Sequence, residues 1–162
     1  MSDPSRHLIA AQGYVELGMF EDAANELEGI DPESRALPEV IDFRYTIYAA
    51  MGQWSLAEVV ASHMAGLFPK EPAGWIRWAY ATRRCRSIEE ARKILLDAER
   101  QNPKDGAIQF NLGCYACQEG DHEEAKRRVS AAIARSGEFR WAALHDPDLK
   151  PLWDEIAEGR PA

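Results

Sequence analysis

The stretch GAIQFNLGCYACQEGDHEEAKRRVSAAI, which runs from Gly106 to Ile133, carries the pattern that decides the fold. Small residues occur inside it at Gly113 and Ala125, and a turn signal at Gly120-Asp121 divides it into two helical halves. In a helix-turn-helix unit, small residues are placed where the two helices touch. The stretch therefore predicts one such unit.

The same unit recurs along the chain at a period of 34 residues, which is typical of helix-turn-helix repeats. Counting back from Ala125 in intervals of 34 residues reaches an alanine each time, at Ala91, Ala57 and Ala23. Steps back from the turn glycine reach Arg86, Gly52 and Gly18, so the third copy departs at Arg86. We expect that turn to be either strained or held by a side-chain bond. The frame predicts four repeats, at residues 4–37, 38–71, 72–105 and 106–139.

This pattern resembles the tetratricopeptide repeat (TPR) family over residues 4–139. Trp75 and Ala79, at the fourth and eighth positions of the third copy, match the opening signature of the family best. The resemblance implies an all-α fold, a right-handed α-solenoid of four helix-turn-helix repeats with a C-terminal capping helix. Residues 140–158 form the expected cap, in which a final helix begins at about Lys150.

Composition indicates an ordinary globular protein in which residues 1–162 form a single domain. Hydrophobic residues make up 46% of the 162 residues and charged residues 28%. The sequence has no apolar run of membrane-spanning length and no secretion signal at its N-terminus, so we expect a cytoplasmic protein. The formal net charge of −8 argues against nucleic acid and anionic membranes as partners.

The three cysteines allow one interpretation besides packing. Cys114 and Cys117 have the spacing of a metal or redox pair, but zinc requires two more ligands, and Cys85 and His122 lack the paired spacing of a zinc module. We therefore predict packed thiols, no metal and no cofactor. The sequence also lacks a catalytic triad order or a phosphate-binding glycine loop, which predicts that the protein is not an enzyme.

The resemblance implies that the first helix of each repeat faces a concave groove. Arg77, Tyr80 and Arg84 share one stripe of such a helix, and arginine forks suit carboxylates and carbonyl groups of a bound segment. The candidate peptide-binding residues are Asp42, Phe43, Thr46, Ile76, Arg77, Tyr80, Arg83, Arg84, Phe110, Asn111 and Cys114.

These observations favour a protein-protein interaction module or adaptor. We expect its groove to bind a peptide segment of a partner, one that is acidic or carries a C-terminal carboxylate. Two alternatives stay open at this point. One is a small bacterial secretion-type chaperone, and the other is a metal or redox protein that uses Cys85, Cys114 and Cys117. The oligomeric state also stays open, with a monomer slightly favoured.

Overall fold

The structure is a computed structural model in which residues 3–159 are described; within this range it is entirely helical, without strands. The α-helices are α1 (Ser5–Glu16), α2 (Phe20–Glu28), α3 (Pro38–Ala50), α4 (Trp54–Leu67), α5 (Pro72–Cys85), α6 (Ile88–Gln101), α7 (Gly106–Gln118), α8 (His122–Arg135), α9 (Glu138–His145) and α10 (Trp153–Ala157). Two 3-10 helices cover Ser34–Ala36 and Pro147–Leu152. None of these helices is long and apolar enough to cross a membrane.

Helices α1 to α8 form four helix hairpins, each packed against the next, which confirms the predicted all-α solenoid. The second helices of the hairpins begin 34 residues apart, at Phe20, Trp54, Ile88 and His122. Pro38 and Pro72 occupy the first turns of α3 and α5, where a missing backbone N–H costs nothing because that donor has no helical partner.

Three of the four hairpins turn through a glycine in the left-handed region. The φ angles of Gly18, Gly52 and Gly120 are 73°, 69° and 84°, which side chains with a Cβ rarely adopt. Arg86 has a φ of −131° instead, so the third turn follows a different path. The Nε atom of Arg86 lies 2.9 Å from Oε1 of Glu58 in α4, which confirms the expected side-chain bond.

Small residues allow the two helices of each hairpin to approach closely. Ala23, Ala57, Ala91 and Ala125 are all 0% exposed, as the repeat frame predicts. A Cβ atom added to Gly113 would lie 2.8 Å from Cγ2 of Val129, so α7 and α8 leave no space for a side chain there.

A glycine also sets the joint between the second and third hairpins. A Cβ atom added to Gly74 in α5 would lie 2.9 Å from the backbone N of Ala65 in α4. Helices α4 and α5 therefore meet backbone to backbone, which fixes α5 firmly against the preceding hairpin.

The end of the array is sealed by α9, the 3-10 helix Pro147–Leu152 and α10. Leu149 and Leu152 are buried in the core around α7. The expected start of the last helix at about Lys150 is wrong, because the chain is a 3-10 helix up to Leu152 and α10 begins at Trp153. The reason lies before Pro151: the side chain of Asp146 accepts a hydrogen bond of 2.9 Å from the backbone N–H of Asp148, so the chain already turns into a 3-10 helix at Pro147.

We expect Ala91→Leu to lower the free energy of unfolding by about 1 to 3 kcal/mol, because the added atoms have no space at the crossing of α5 and α6. Urea unfolding followed by circular dichroism measures the change. Ala50→Leu, at an exposed position near the end of α3, is the matched control and is expected to have little effect. Equal stability of the two variants would contradict the tight crossing.

Candidate functional site

Arg77, on the first helix of the third hairpin, is held by its neighbours on α3. Its guanidinium forms an ion pair with Asp42, and it lies over the ring of Tyr45, 5.5 Å from the centroid. The Tyr45 hydroxyl donates a hydrogen bond of 3.3 Å to the backbone oxygen of Arg77, and burial raises the pKa of Tyr45 to about 12. These contacts join α3 to α5 and already engage the charge of Arg77.

Arg84 lies one turn further along α5 than Tyr80, and it is exposed. Its guanidinium lies 5.1 Å from the centroid of the Trp54 ring, and Trp54 meets Tyr80 edge to face at 5.6 Å between centroids. Tyr80 is 41% exposed. Arg84 has no ion-pair partner within residues 3–159, so its charge is available beside two aromatic rings.

Arg83 forms its contacts with the C-terminal part of the chain and does not face an open groove. Its guanidinium makes a two-pronged ion pair with Asp148, with Nη2 at 3.1 Å from Oδ1, and it lies 5.2 Å from the centroid of the Tyr115 ring. The hydrogen bond to Asp148 raises the pKa of Arg83 above its ordinary value. This pair fixes the segment that follows α9 across the end of α5.

The same C-terminal segment covers part of α7. Cys114 is 3% exposed, and its Sγ atom lies 3.6 Å from Oδ2 of Asp146. Phe110 is stacked on Phe139 with ring centroids 5.5 Å apart. The expectation that Cys114 faces an open groove is therefore wrong. The physical reason is that the segment after α9 folds back over α7 instead of continuing the array.

The remaining predicted residues differ in their burial and in their hydrogen bonds. Phe43 and Ile76 are half-buried. Phe43 packs against the core that the first hairpin shares with α3, and Ile76 packs against the core that extends from the third hairpin to the cap. The side chain of Thr46 donates to the backbone oxygen of Asp42 at 3.0 Å. Asn111 donates to the backbone oxygen of Ala107 at 2.8 Å and is half-buried. Of this set, Thr46 is the exposed member.

A cleft of about 630 Å³ lies between the C-terminal end of α5 and α9. Tyr80 and Arg84 form its α5 side, and Trp141 and His145 form its α9 side. The Trp141 ring is 68% exposed and stacks on His145 with centroids 4.2 Å apart. Trp141 and His145 are not among the predicted site residues, because both lie in the expected cap at residues 140–158. Carrying the repeat frame into a fifth copy from Arg140 places His145 at its sixth position, which Phe43, Arg77 and Asn111 occupy in the other copies, whereas no such signal points to Trp141.

Metal chemistry finds no support in the described part of the chain. No three His, Cys, Asp or Glu side chains among residues 3–159 come together as ligands for a metal ion. Burial raises the pKa of all three thiols, those of Cys85, Cys114 and Cys117. A raised pKa keeps a thiol protonated at neutral pH, and the protonated form is neither a nucleophile nor a metal ligand.

Comparisons with known proteins place the fold. No protein-family model and no curated protein sequence matches the chain. The crystal structure of TTC0263, a thermophilic TPR protein in Thermus thermophilus, aligns with a TM-score of 0.70 at 19% identity, covering 95% of this chain and 83% of that chain. The chain has the TPR fold.

Two structures of MamA show the same likeness to this TPR fold. MamA from residue 41 to its end, from Desulfovibrio magneticus RS-1, aligns with a TM-score of 0.67 at 14% identity, covering 84% of this chain and 77% of that chain. Another MamA crystal structure has a TM-score of 0.66 at 16% identity, covering 95% of this chain and 86% of that chain. At such identities the likeness concerns the architecture of the solenoid.

Tyr115 provides a test of the packing under this site. Its ring is 2% exposed, and its hydroxyl is buried without a hydrogen-bond partner among the described residues. We expect Tyr115→Phe to raise the free energy of unfolding by about 1 kcal/mol, because an unpaired buried hydroxyl is destabilising. Tyr45→Phe is the matched control and is expected to lower it by a similar amount, since that hydroxyl bonds to Arg77. A loss of stability in Tyr115→Phe would show instead that a bound water satisfies the hydroxyl.

Thiol reactivity tests the metal or redox interpretation. We expect Cys114 and Cys117 of the folded protein to react at pH 8 with an aromatic disulfide reagent at least tenfold more slowly than a free thiol, because the reagent requires the thiolate. In guanidinium chloride, all three cysteines of the chain should react at the ordinary rate. Fast reaction of the folded protein at these two positions would favour the redox alternative.

Proposed function

We propose that this protein is a protein-protein interaction module that binds a segment of a partner protein along α3 and α5, without catalysing a reaction. The observation that carries the proposal is the pair of exposed side chains Arg84 and Tyr80 with the half-buried Trp54 beside them, because arginine and aromatic residues dominate the affinity of protein interfaces. The single domain of four repeats, at 4–37, 38–71, 72–105 and 106–139, with a cap at 140–158, is part of this proposal.

The charges on this face indicate which kind of ligand it can bind. Arg77 is paired with Asp42 and Arg83 with Asp148, so these two cations are largely neutralised by the chain itself. Arg84 has no such carboxylate partner within residues 3–159, so its positive charge is available to a ligand. The face therefore suits a segment with one carboxylate, from an acidic side chain or a free C-terminus, next to an apolar side chain. The carboxylate orients the segment on Arg84, and the aromatic contacts supply most of the affinity.

Partner residues outside this cluster add contacts along α3. Thr46 is exposed, and Asp42 keeps part of its surface open, with 38% of its side chain exposed. Both lie on the side of α3 that faces Arg77. Polar groups of an extended segment can pair with them without displacing the ion pair, which would extend the site over two hairpins.

The test is a selection of random peptides, with internal and free C-terminal sequences, followed by fluorescence anisotropy of the selected peptides. We expect Arg84→Glu to weaken their binding at least tenfold, which corresponds to about 1.4 kcal/mol. Arg84→Gln, which removes the charge but keeps a polar side chain, should have an intermediate effect. The earlier candidate Arg77 is left unchanged, because a glutamate there would face Asp42 and disturb the fold.

Arg135→Glu is the matched control, since Arg135 is an exposed arginine in the last turn of α8, as Arg84 is in the last turn of α5. It is expected to bind the selected peptides as well as the wild type does. Binding should also weaken modestly with added salt, because one exposed cation is involved. If no peptide is selected, or if Arg84→Glu binds the selected peptides at full affinity, the proposal is wrong.

A further inference from the structure

Trp141 is a large aromatic side chain that the fold leaves largely uncovered. It is 68% exposed, although burying a tryptophan side chain is strongly favourable. The stack on His145, with centroids 4.2 Å apart, and the bond from His145 Nδ1 to the Trp141 backbone oxygen at 2.7 Å hold the end of α9 in one arrangement. The ring is thus presented to the cleft in a fixed position and contributes little to the core.

Tyr80 forms a second aromatic surface across the same cleft, and Trp54 packs against it from outside the cleft. Tyr80 is 41% exposed, and its edge-to-face contact with Trp54 fixes its ring. The space of about 630 Å³ is open to solvent between Tyr80 on α5 and Trp141 on α9. Two fixed aromatic walls around an open space fit a flat apolar side chain better than a charged or branched polar one.

The floor of the cleft is a segment of the chain that a ligand cannot easily displace. Asp148 lies there in its ion pair with Arg83, one residue before Leu149, and Leu149 and Leu152 are 0% and 1% exposed in the core. Displacing this segment would expose both leucines to water and would leave Arg83 without its partner. A segment of the partner would therefore lie on top of the 3-10 helix Pro147–Leu152 and would not displace it.

We propose that the cleft between α5 and α9 binds an aromatic anchor side chain of the partner segment, with a neighbouring carboxylate of that segment on Arg84. Helix α9 is then a wall of the binding site as well as a part of the cap. This inference rests on the proposed function, and it adds the class of anchor and the contribution of Trp141 and His145.

The test uses two blocked pentapeptides, SDFDS and SDADS, which differ in the central Phe or Ala. The probes are titrated into the nitrogen-15 labelled full chain, and the indole N–H signals are followed by NMR. We expect SDFDS to shift the signals of Trp141 and Trp54, and SDADS to bind at least tenfold more weakly. The indole N–H of Trp75 lies away from the cleft and donates a hydrogen bond of 3.0 Å to the backbone oxygen of Pro69. Its signal should therefore not shift.

Trp141→Ala should weaken the binding of SDFDS at least tenfold, and Trp141→Phe should restore most of it. Leu17→Ala is the matched control, because Leu17 is 75% exposed at the opposite end of the array, and it should change nothing. The inference fails if SDFDS leaves the Trp141 signal unshifted or binds Trp141→Ala at full affinity. The selected peptides and their dependence on Arg84 decide the proposed function separately, so the two failures can be told apart.

Discussion

Close contact between helices at positions without large side chains is the constraint on which the structure depends. Alanine at the crossing of each hairpin, and glycine at positions 74 and 113, bring the helix backbones together. Apolar residues around each crossing can then pack at the density of a protein interior. The direction in which each first helix points follows from these contacts, and so does the placing of Arg84 beside Trp54. The candidate binding face is thus set by residues that no partner would touch.

The C-terminal segment determines where the array stops and what remains open. Helix α7 would present one face to a fifth hairpin, but α9 and the 3-10 helix Pro147–Leu152 pack against it, and Cys114 and Gln118 contact Asp146 and Asp148 there. Terminal coverage of this kind is required in repeat proteins, since the last repeat has no neighbour to bury its apolar surface. The cover also converts the end of an open groove into a cleft with a wall on each side.

The repeat frame predicted the hairpins well because it rests on local properties: a period, a small residue at each crossing and a glycine at most turns. Ala57 and Gly52 illustrate both features. The candidate site was less predictable, because its contacts depend on partners far apart in the sequence. Arg83 and Asp148 are separated by 65 residues, and no spacing rule couples them. Helical periodicity placed Arg83 on a face of α5 but could not show that the chain itself occupies that place.

The turn at Arg86 has a mechanical consequence for the solenoid as a whole. The carboxylate of Glu58 in α4 accepts from Thr82 at 2.9 Å and lies 2.9 Å from Arg86, so the second hairpin is tied to the turn of the third. The first hairpin is joined to the second in part by Glu28, whose side chain is 54% exposed, in ion pairs with Arg35 and Arg44. Each of these carboxylates lies on the second helix of one hairpin and pairs with residues of the next hairpin. Bending the array at either joint would therefore have to stretch these bonds.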